Sequence, residues 1–189
     1  MEMTQTGFHQ TSKIVLQELH RTLTQIDEGE VHDAAEALLK ARRLFFQGAG
    51  RSGLALKMAA MRMMHLGLRV YVAGEVVTPA IEKGDLLVVA SGSGTTAGPV
   101  HAAEVARKAG AGVLALTTAP QSPLGSLATS VLRIPAATKQ GDDRTQSQQY
   151  AGALFEQTVL LLMDVLFQEL WHQRGETAEQ LWKRHANLE

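Results

Sequence analysis

The sequence predicts an α/β protein, a three-layer α-β-α sandwich with a five-stranded, doubly wound parallel sheet that is preceded by N-terminal helices. Three observations lead to this prediction. Five short runs along the chain are continuously apolar, which is typical of strands that are covered on both faces. Segments with helical periodicity separate these runs. Two glycine- and serine-rich loops, 48–53 and 91–96, lie about one βα unit apart.

The elements follow in order along the chain. Residues at about 8–41 predict two amphipathic helices, because apolar side chains recur on one helical face up to Gly29 and again after it. The five strands are predicted at the apolar runs Leu44 to Phe46, Val70 to Val72, Leu86 to Ala90, Val113 to Leu116 and Val131 to Ile134. A polar loop follows Pro135, and a long helix is expected from about 150 to 171.

No stretch of the sequence has the character of a linker between two domains. We therefore expect one domain over 1–189, with N-terminal helices at about 8–41, an α/β core at about 43–172 and a C-terminal tail at 173–189. The 189 residues and the mass of 20.4 kDa agree with this expectation.

Composition excludes several classes of function. The formal net charge is −1, so no basic face for nucleic acid is expected. The absence of cysteine excludes disulfides, thiolate metal sites and cysteine nucleophiles, and it fits a reducing compartment. The N-terminal residues lack the features of a signal peptide, and the longest apolar stretch, 158–166, is interrupted by Asp164. We expect a cytoplasmic protein without a membrane span.

The loop SGSGTT at 91–96 has the chemistry of a phosphate-binding loop. Gly92 and Gly94 allow an anion to approach the backbone, hydroxyl groups add donors, and the following helix presents unpaired N–H groups. The alternative is that such loops are only tight turns. Two of them in successive strand-to-helix connections, the first with Gly50, Arg51 and Ser52, favour a binding site. The chain contains no GxxxxGK[ST] motif.

The motifs resemble those of the SIS (sugar isomerase) domain family. SGSGTT is similar to its phosphosugar signature S-x-S-G-x-T, in which Ser91, Ser93 and Thr96 match the phosphate-binding positions. Further motifs resemble the 6-phospho-3-hexuloisomerases in particular and extend over nearly the whole chain: GAGRSG, GEVVTPAI, GDLLVVASGSGTT, GALFE at 152–156 and RHANLE. Thr95 departs from the pattern, because relatives often carry a charged residue there.

The resemblance implies an SIS-type, flavodoxin-like fold, a homotetramer and a specific reaction. That reaction converts D-arabino-hex-3-ulose 6-phosphate to fructose 6-phosphate, in formaldehyde assimilation by the ribulose monophosphate pathway or in ribulose 5-phosphate supply. Moving a carbonyl group from C3 to C2 needs a base and groups that stabilise charge on a 2,3-enediol, and in principle it needs no metal. The seven histidines form no metal-binding pattern, so neither a metal nor a cofactor is expected.

Glu156 is the candidate base. It lies in the first part of the long helix, with Leu160, Met163 and Phe167 on the same face, so we expect it among apolar neighbours. The alternative is an exposed glutamate that interacts only with the helix dipole. The GALFE resemblance favours catalysis.

Two histidines are candidate partners of Glu156. His65 is in line with Leu54, Met58 and Met61 and is either a core or interface histidine or, as the family implies, a residue near a neighbouring subunit's active site. His185 belongs to the polar ending RHANLE, which the resemblance implies is docked. The sequence does not decide between the two. Lys139 and Arg144 are weaker candidates for substrate contact.

The helix around Met58, Met61, Met63 and Met64 is apolar nearly all round, which predicts a subunit interface. Two functions of different class remain open. One is the isomerase, on this or another sugar phosphate, and the other is a non-catalytic phosphosugar sensor, which would need the hydroxyl loop but no base.

Overall fold

The computed structural model describes residues 7–137 and 147–188. Its five strands are β1 (Leu44–Gly48), β2 (Val70–Val72), β3 (Leu86–Ala90), β4 (Gly112–Thr117) and β5 (Ser130–Arg133). All neighbouring strands are parallel, and their order is β2-β1-β3-β4-β5. The predicted doubly wound sheet is therefore confirmed. The order reverses between β1 and β3, where such sheets bind their ligands.

The helices surround the sheet in the predicted layers. They are α1 (Phe8–Leu23), α2 (Glu28–Lys40), α3 (Gly50–His65), α4 (Ala97–Lys108), α5 (Pro123–Leu127), α6 (Ala153–Arg174) and α7 (Ala178–Trp182). The long helix α6 begins three residues later than the sequence predicts. Ala151 and Gly152 have left-handed backbone angles, with φ of +44° and +77°, and a right-handed helix cannot include them.

Two apolar clusters cover the two faces of the sheet. Successive strand residues point to opposite faces, so Leu86 and Val88 of β3 pack against α3 and α6, whereas Leu87 and Val89 pack against α4. Every residue of β3 is buried, which accounts for its continuously apolar sequence. The helix α1 packs on α6, outside the layer that contacts the sheet.

The carboxyl ends of β1, β3 and β4 lie at one edge of the sheet. The loops that follow them lead into α3, α4 and α5, and the two glycine-rich loops are among these connections. In residues 7–137 and 147–188, no helix has the length and apolar character that crossing a membrane requires.

Candidate active site

The loop 91–96 is held in a fixed shape by Gly94. Its φ is +64°, and a Cβ atom built there would lie 1.8 Å from Oγ of Ser122. The carbonyl oxygen of Gly94 accepts a hydrogen bond from the N–H of Leu124 at 3.0 Å. Gly94 therefore fastens the loop to the start of α5. Because only glycine fits there, the glycine predicted to admit an anion also has a packing role.

Four hydroxyl groups of the loop form two pairs. Ser91 Oγ and Thr96 Oγ1 are 3.0 Å apart, and Ser93 Oγ and Thr95 Oγ1 are 2.9 Å apart. In each pair one hydroxyl donates to the other, so the proton of the acceptor hydroxyl is not used within the pair. Each pair can therefore donate a hydrogen bond to a bound anion. Thr95, which departs from the family pattern, takes part in the second pair.

Three helix N-termini converge beside these hydroxyls. The N-cap positions of α3, α4 and α6 are Ala49, Thr96 and Gly152, and in the described part of the chain none of the three makes a side-chain capping hydrogen bond. The helices α2, α5 and α7, in contrast, are capped by Asp27, Ser122 and Thr177. Uncapped N-terminal N–H groups carry partial positive charge and bind anions such as phosphate.

A cavity of about 590 Å³ opens at this point, within the range of small-molecule sites. Its wall contains six of the residues that the sequence predicts to bind substrate: Gly50, Ser52, Ser91, Gly92, Ser93 and Thr96. The wall also contains small or apolar residues that sequence reasoning missed, because their side chains have no distinctive chemistry: Ala49, Ala90, Ala119, Ala137, Gly152 and Phe155. Among the described residues, the cavity wall does not include three other predicted residues, which are Arg51, Gly94 and Glu156.

The glycines of the first loop allow β1 and α3 to pack closely. A Cβ atom at Gly53 would lie 2.5 Å from the carbonyl oxygen of Gly48, so no side chain fits there. This approach brings the start of α3 to the end of β1. Gly50 and Ser52 thereby reach the cavity wall.

Glu156 is buried and forms an ion pair with Arg51. The glutamate is 4% exposed, and Nε of Arg51 donates to its Oε2 atom. Burial contradicts the alternative of an exposed glutamate. Phe155, the preceding residue, lines the cavity, and so do Gly50 and Ser52, the residues on either side of Arg51. The sequence did not predict this pairing, in which Arg51 contacts the candidate base.

His65 and His185 form a separate pair at the other end of α3. Their rings stack with centroids 3.8 Å apart, and Nη1 of Arg184 donates to the carbonyl oxygen of His65 at 2.9 Å. The tail is thus docked at this point, as expected. Burial lowers the pKa of His65, and the nearby charges of His185 and Arg62 lower it further. Among the described residues, Nδ1 of neither histidine has a hydrogen-bond partner.

The histidine pair is far from Glu156 within one chain. His65 is the last residue of α3 and Gly50 is the first, so the two ends are about 22 Å apart at the helical rise. The structure therefore joins the two candidate histidines to each other and does not bring either of them to the cavity of the same chain.

Three large apolar side chains on α3 are exposed in a single copy of the chain. Leu54, Met58 and Met61 are 63%, 55% and 60% exposed. Lys139 and Arg144, the weaker candidates, lie outside the described residues. No group of three or more histidine or acidic side chains within 7–137 and 147–188 is arranged to hold a metal ion.

Comparison with known proteins identifies the family. Residues 37–161 match the model of the SIS domain. A Mycobacterium gastri protein named 3-hexulose-6-phosphate isomerase is 52% identical over 93% of this chain and 88% of its own length. A Bacillus subtilis protein of the same name is 39% identical over 93% of this chain and 95% of its own length.

A solved structure gives the same result. It is that of a hypothetical Methanococcus jannaschii protein, for which a function as 3-hexulose-6-phosphate isomerase was inferred. It superposes with a TM-score of 0.82 at 27% identity and covers 95% of this chain and 99% of its own. The resemblance seen in the sequence motifs is confirmed, and the chain belongs to the SIS domain family.

Proposed function

We propose that this protein is an isomerase that interconverts D-arabino-hex-3-ulose 6-phosphate and fructose 6-phosphate. The relatives named 3-hexulose-6-phosphate isomerase support the substrate, since the 52% identity extends over most of both chains. The observation that carries the proposal is the buried carboxylate of Glu156, paired with Arg51, next in sequence to Phe155 in the wall of a cavity suited to phosphate. Binding a phosphosugar needs the cavity alone, whereas isomerising it needs a base as well.

The cavity would hold the phosphate group of the substrate. The hydroxyl pairs of loop 91–96 and the uncapped N-termini of α3, α4 and α6 supply donors and partial positive charge without a basic side chain. Because the phosphate is fixed, the carbon atoms of the sugar extend from a defined point. Binding of the phosphate would therefore fix the position of C2 and C3, the carbons that react.

Glu156 would act as the base in a proton transfer between neighbouring carbons. Its carboxylate takes the proton from C2 while the C3 carbonyl oxygen gains a proton, which gives the 2,3-enediol. Loss of the proton from the C2 hydroxyl group and return of a proton to C3 then complete the ketone at C2. Arg51, which contacts Glu156, would stabilise negative charge on the enediol oxygens.

We further propose a homotetramer in which His65 and His185 approach the active site of a neighbouring subunit. Neither histidine is close to the cavity of its own chain, so either one can take part only across a subunit boundary. The exposed stripe of Leu54, Met58 and Met61 on α3 supports such a boundary, because exposed apolar stripes mark protein contacts.

Sedimentation velocity at micromolar concentration tests the assembly. The wild-type protein should sediment as a tetramer, and Met61→Lys, which puts a charge into the stripe, should shift it toward smaller species. Leu188→Lys is the matched control, since Leu188 is 98% exposed near the end of the chain. A wild-type species of about 20 kDa, the mass of one chain, would contradict the tetramer.

One observation favours a second candidate, a phosphosugar-binding module without catalysis. In the described residues Glu156 binds Arg51 and is not part of the cavity wall. A sensor would retain the hydroxyl loop and use the ion pair only to join α3 to α6. The two candidates differ in turnover and not in binding.

A coupled assay for fructose 6-phosphate separates these candidates. The purified chain is mixed with D-arabino-hex-3-ulose 6-phosphate and, in parallel, with a panel of pentose, hexose and heptose phosphates, and binding is measured by calorimetry on the same panel. Formation of fructose 6-phosphate from the hexulose phosphate supports the isomerase. Binding without turnover supports the sensor. Turnover of only another sugar phosphate would mean that the protein is an isomerase with that sugar phosphate as its substrate.

We also place the reaction in the cytoplasm and in formaldehyde assimilation by the ribulose monophosphate pathway. The family resemblance implies this pathway, and the absence of cysteine fits a reducing compartment.

A further inference from the structure

Glu18 is a buried acidic residue outside the part of the chain that matches the family model. It lies on α1, before residue 37 where that match begins, and it is 8% exposed. A buried carboxylate is costly unless hydrogen bonds compensate for the lost water. The partners of Glu18 therefore indicate what the residue does.

Three consecutive residues donate hydrogen bonds to this one carboxylate. Oε1 accepts from the backbone N–H of Gln148 at 2.7 Å. Oε2 accepts from Oγ of Ser147 at 2.7 Å and from Nε2 of Gln149 at 3.0 Å. Burial alone would raise the pKa of Glu18, but these hydrogen bonds and the charge of Arg21 lower it below its ordinary value. Hydrogen bonds to an ionised group are the strong ones, so the segment 147–149 is firmly attached to α1.

The attached segment leads directly into the proposed active site. Ala151 has a φ of +44°, a conformation that side-chain-bearing residues adopt only when their surroundings impose it. Gly152, the N-cap of α6, lines the cavity, as Phe155 does, and Glu156 follows. Only Tyr150 and Ala151 separate the last residue held by Glu18 from the cavity wall.

We propose that Glu18 is a positioning residue for catalysis: its carboxylate fixes the segment 147–149, which sets the start of α6 and so the placement of Phe155 and Glu156. This inference rests on the proposed function. It gives the N-terminal helix a part in the reaction, although that helix contributes no residue to the wall of the cavity.

Variants of Glu18 test the proposal in the fructose 6-phosphate assay. Glu18→Ala removes both acceptor atoms, and we expect kcat to fall roughly tenfold to a hundredfold, since displacement of a catalytic group by about 1 Å can have this effect. Glu18→Gln retains one acceptor oxygen for the N–H of Gln148 and should recover part of that loss. Gln17→Ala, at an exposed position on the same helix, is the matched control and should retain wild-type kcat.

Two readouts separate positioning from a purely structural role. Circular dichroism and the melting temperature establish the folded fraction, and kcat is compared only between folded proteins well below their melting temperatures. In a double-mutant cycle, Ser147→Ala should reduce kcat in the wild type and have a smaller effect in Glu18→Ala, because both changes release the same segment. If Glu18→Ala does not fold, Glu18→Gln and Ser147→Ala carry the comparison.

Hydrogen exchange of the amides at 150–157 tests the positioning without substrate. Faster exchange in Glu18→Ala than in Gln17→Ala supports the proposal, even if the wild-type protein has no isomerase activity and the proposed function fails. Unchanged exchange at these amides overturns it. Wild-type kcat in folded Glu18→Ala and Glu18→Gln, when the wild type is active, overturns it as well.

Discussion

The two ends of the parallel sheet use polar side chains in opposite ways. At the amino ends of β1 and β3, charged side chains bind one another in a closed network of Arg42, Arg43, Glu82 and Asp85. At the carboxyl ends, the polar groups that line the cavity are hydroxyls and helix N-termini, and part of their hydrogen-bonding capacity is unused among the described residues. The charged groups at the amino end therefore stabilise the fold, whereas the polar groups at the carboxyl end are available to bind a ligand.

Asp85 shows how complete the closed network is. Its side chain is fully buried, and it accepts hydrogen bonds from Arg42, from Arg43 and from the N–H of Glu82. Burial alone would raise the pKa of Asp85, but these partners lower it to about 2. A set of charges that satisfies itself has nothing left to bind a ligand. Unused donors around a cavity are therefore the better guide to function than the number of charges.

The largest expected effect is at the carboxyl end, where Glu156→Gln removes the proposed base. Glutamine keeps the shape of the side chain but cannot take a proton from C2. Turnover should fall by roughly two to four orders of magnitude, the usual contribution of a positioned base. The affinity for sugar phosphates should change little, because the hydroxyl loop is intact. Steady-state kinetics and calorimetry measure the two quantities.

Glu169→Gln is the control for this variant, since Glu169 is exposed on the same helix. The sequence alone suggests that Glu156→Gln would leave stability equal or slightly higher, by removing an unpaired buried carboxylate. The ion pair with Arg51 changes that expectation to a small loss. Wild-type turnover in folded Glu156→Gln would contradict the assignment and point to His65 or His185.

Asp85→Asn opens the closed network at the amino end. It leaves Arg43, whose side chain is 14% exposed, without its main partner, and breaking a buried pair in this way costs about 3 kcal/mol of stability or more. Turnover of the folded protein should not change. Glu82→Gln, at a side chain that is 60% exposed, is the control and should cost much less stability than Asp85→Asn.

The same network makes a prediction about acid unfolding. Because the pKa of Asp85 is lowered from 3.8 to about 2, its ionised form contributes about 2 kcal/mol that is fully present above pH 3.8 and is lost as the pH falls through about 2. Denaturant titrations from pH 5 to pH 2 should show a smaller loss in Asp85→Asn than in the wild type. Parallel curves would contradict the lowered pKa.

Gly94→Ala tests the shape of loop 91–96 at the carboxyl end of the sheet. The new Cβ atom would meet Oγ of Ser122 at 1.8 Å with the backbone at a φ of +64°, so we expect a loss of at least about 2 kcal/mol in the free energy of unfolding. Gly98→Ala, in the first turn of α4, is the control. The nearest atom to its Cβ would be Nε2 of Gln47 at 3.9 Å, so it should be tolerated. Equal melting temperatures for the two variants would contradict the packing role of Gly94.

The sequence predicts the layers of this molecule better than the contacts of its site. Strand β3 was predictable because it is buried on both faces and must be apolar throughout. The start of α6 was not, because Ala151 carries no sequence signal for a left-handed backbone. Local sequence patterns predict the helices and strands. The exact ends of these elements and the contacts between them depend on which distant segments the fold brings together.

The candidate site likewise contains features that the sequence predicts and contacts that it does not. Loop 91–96 was predictable because its glycines and hydroxyls are adjacent in sequence. The ion pair of Arg51 and Glu156 joins residues 105 positions apart, and the stacked histidines are also distant in sequence, so no local spacing reveals either contact. Ala49, Ala119 and Phe155 line the cavity only because the elements converge there.

The smallest expected effect concerns the hydroxyl group of Ser93, in loop 91–96 at the carboxyl end of the sheet. Ser93→Ala removes the pairing partner of Thr95 and a donor in the cavity wall. If a phosphate oxygen then lacks its partner, the affinity for sugar phosphates and for competing inorganic phosphate should fall by about 1–3 kcal/mol. Turnover at saturating substrate should fall much less than in Glu156→Gln, because the base is unchanged. Ser126→Ala, at an exposed hydroxyl outside the cavity, should leave the affinity at its wild-type value. Calorimetry with the two ligands decides the question. Equal affinities for Ser93→Ala and the wild type would mean that the loop is only a turn, and the unused donors of the carboxyl end would then have no ligand to explain them.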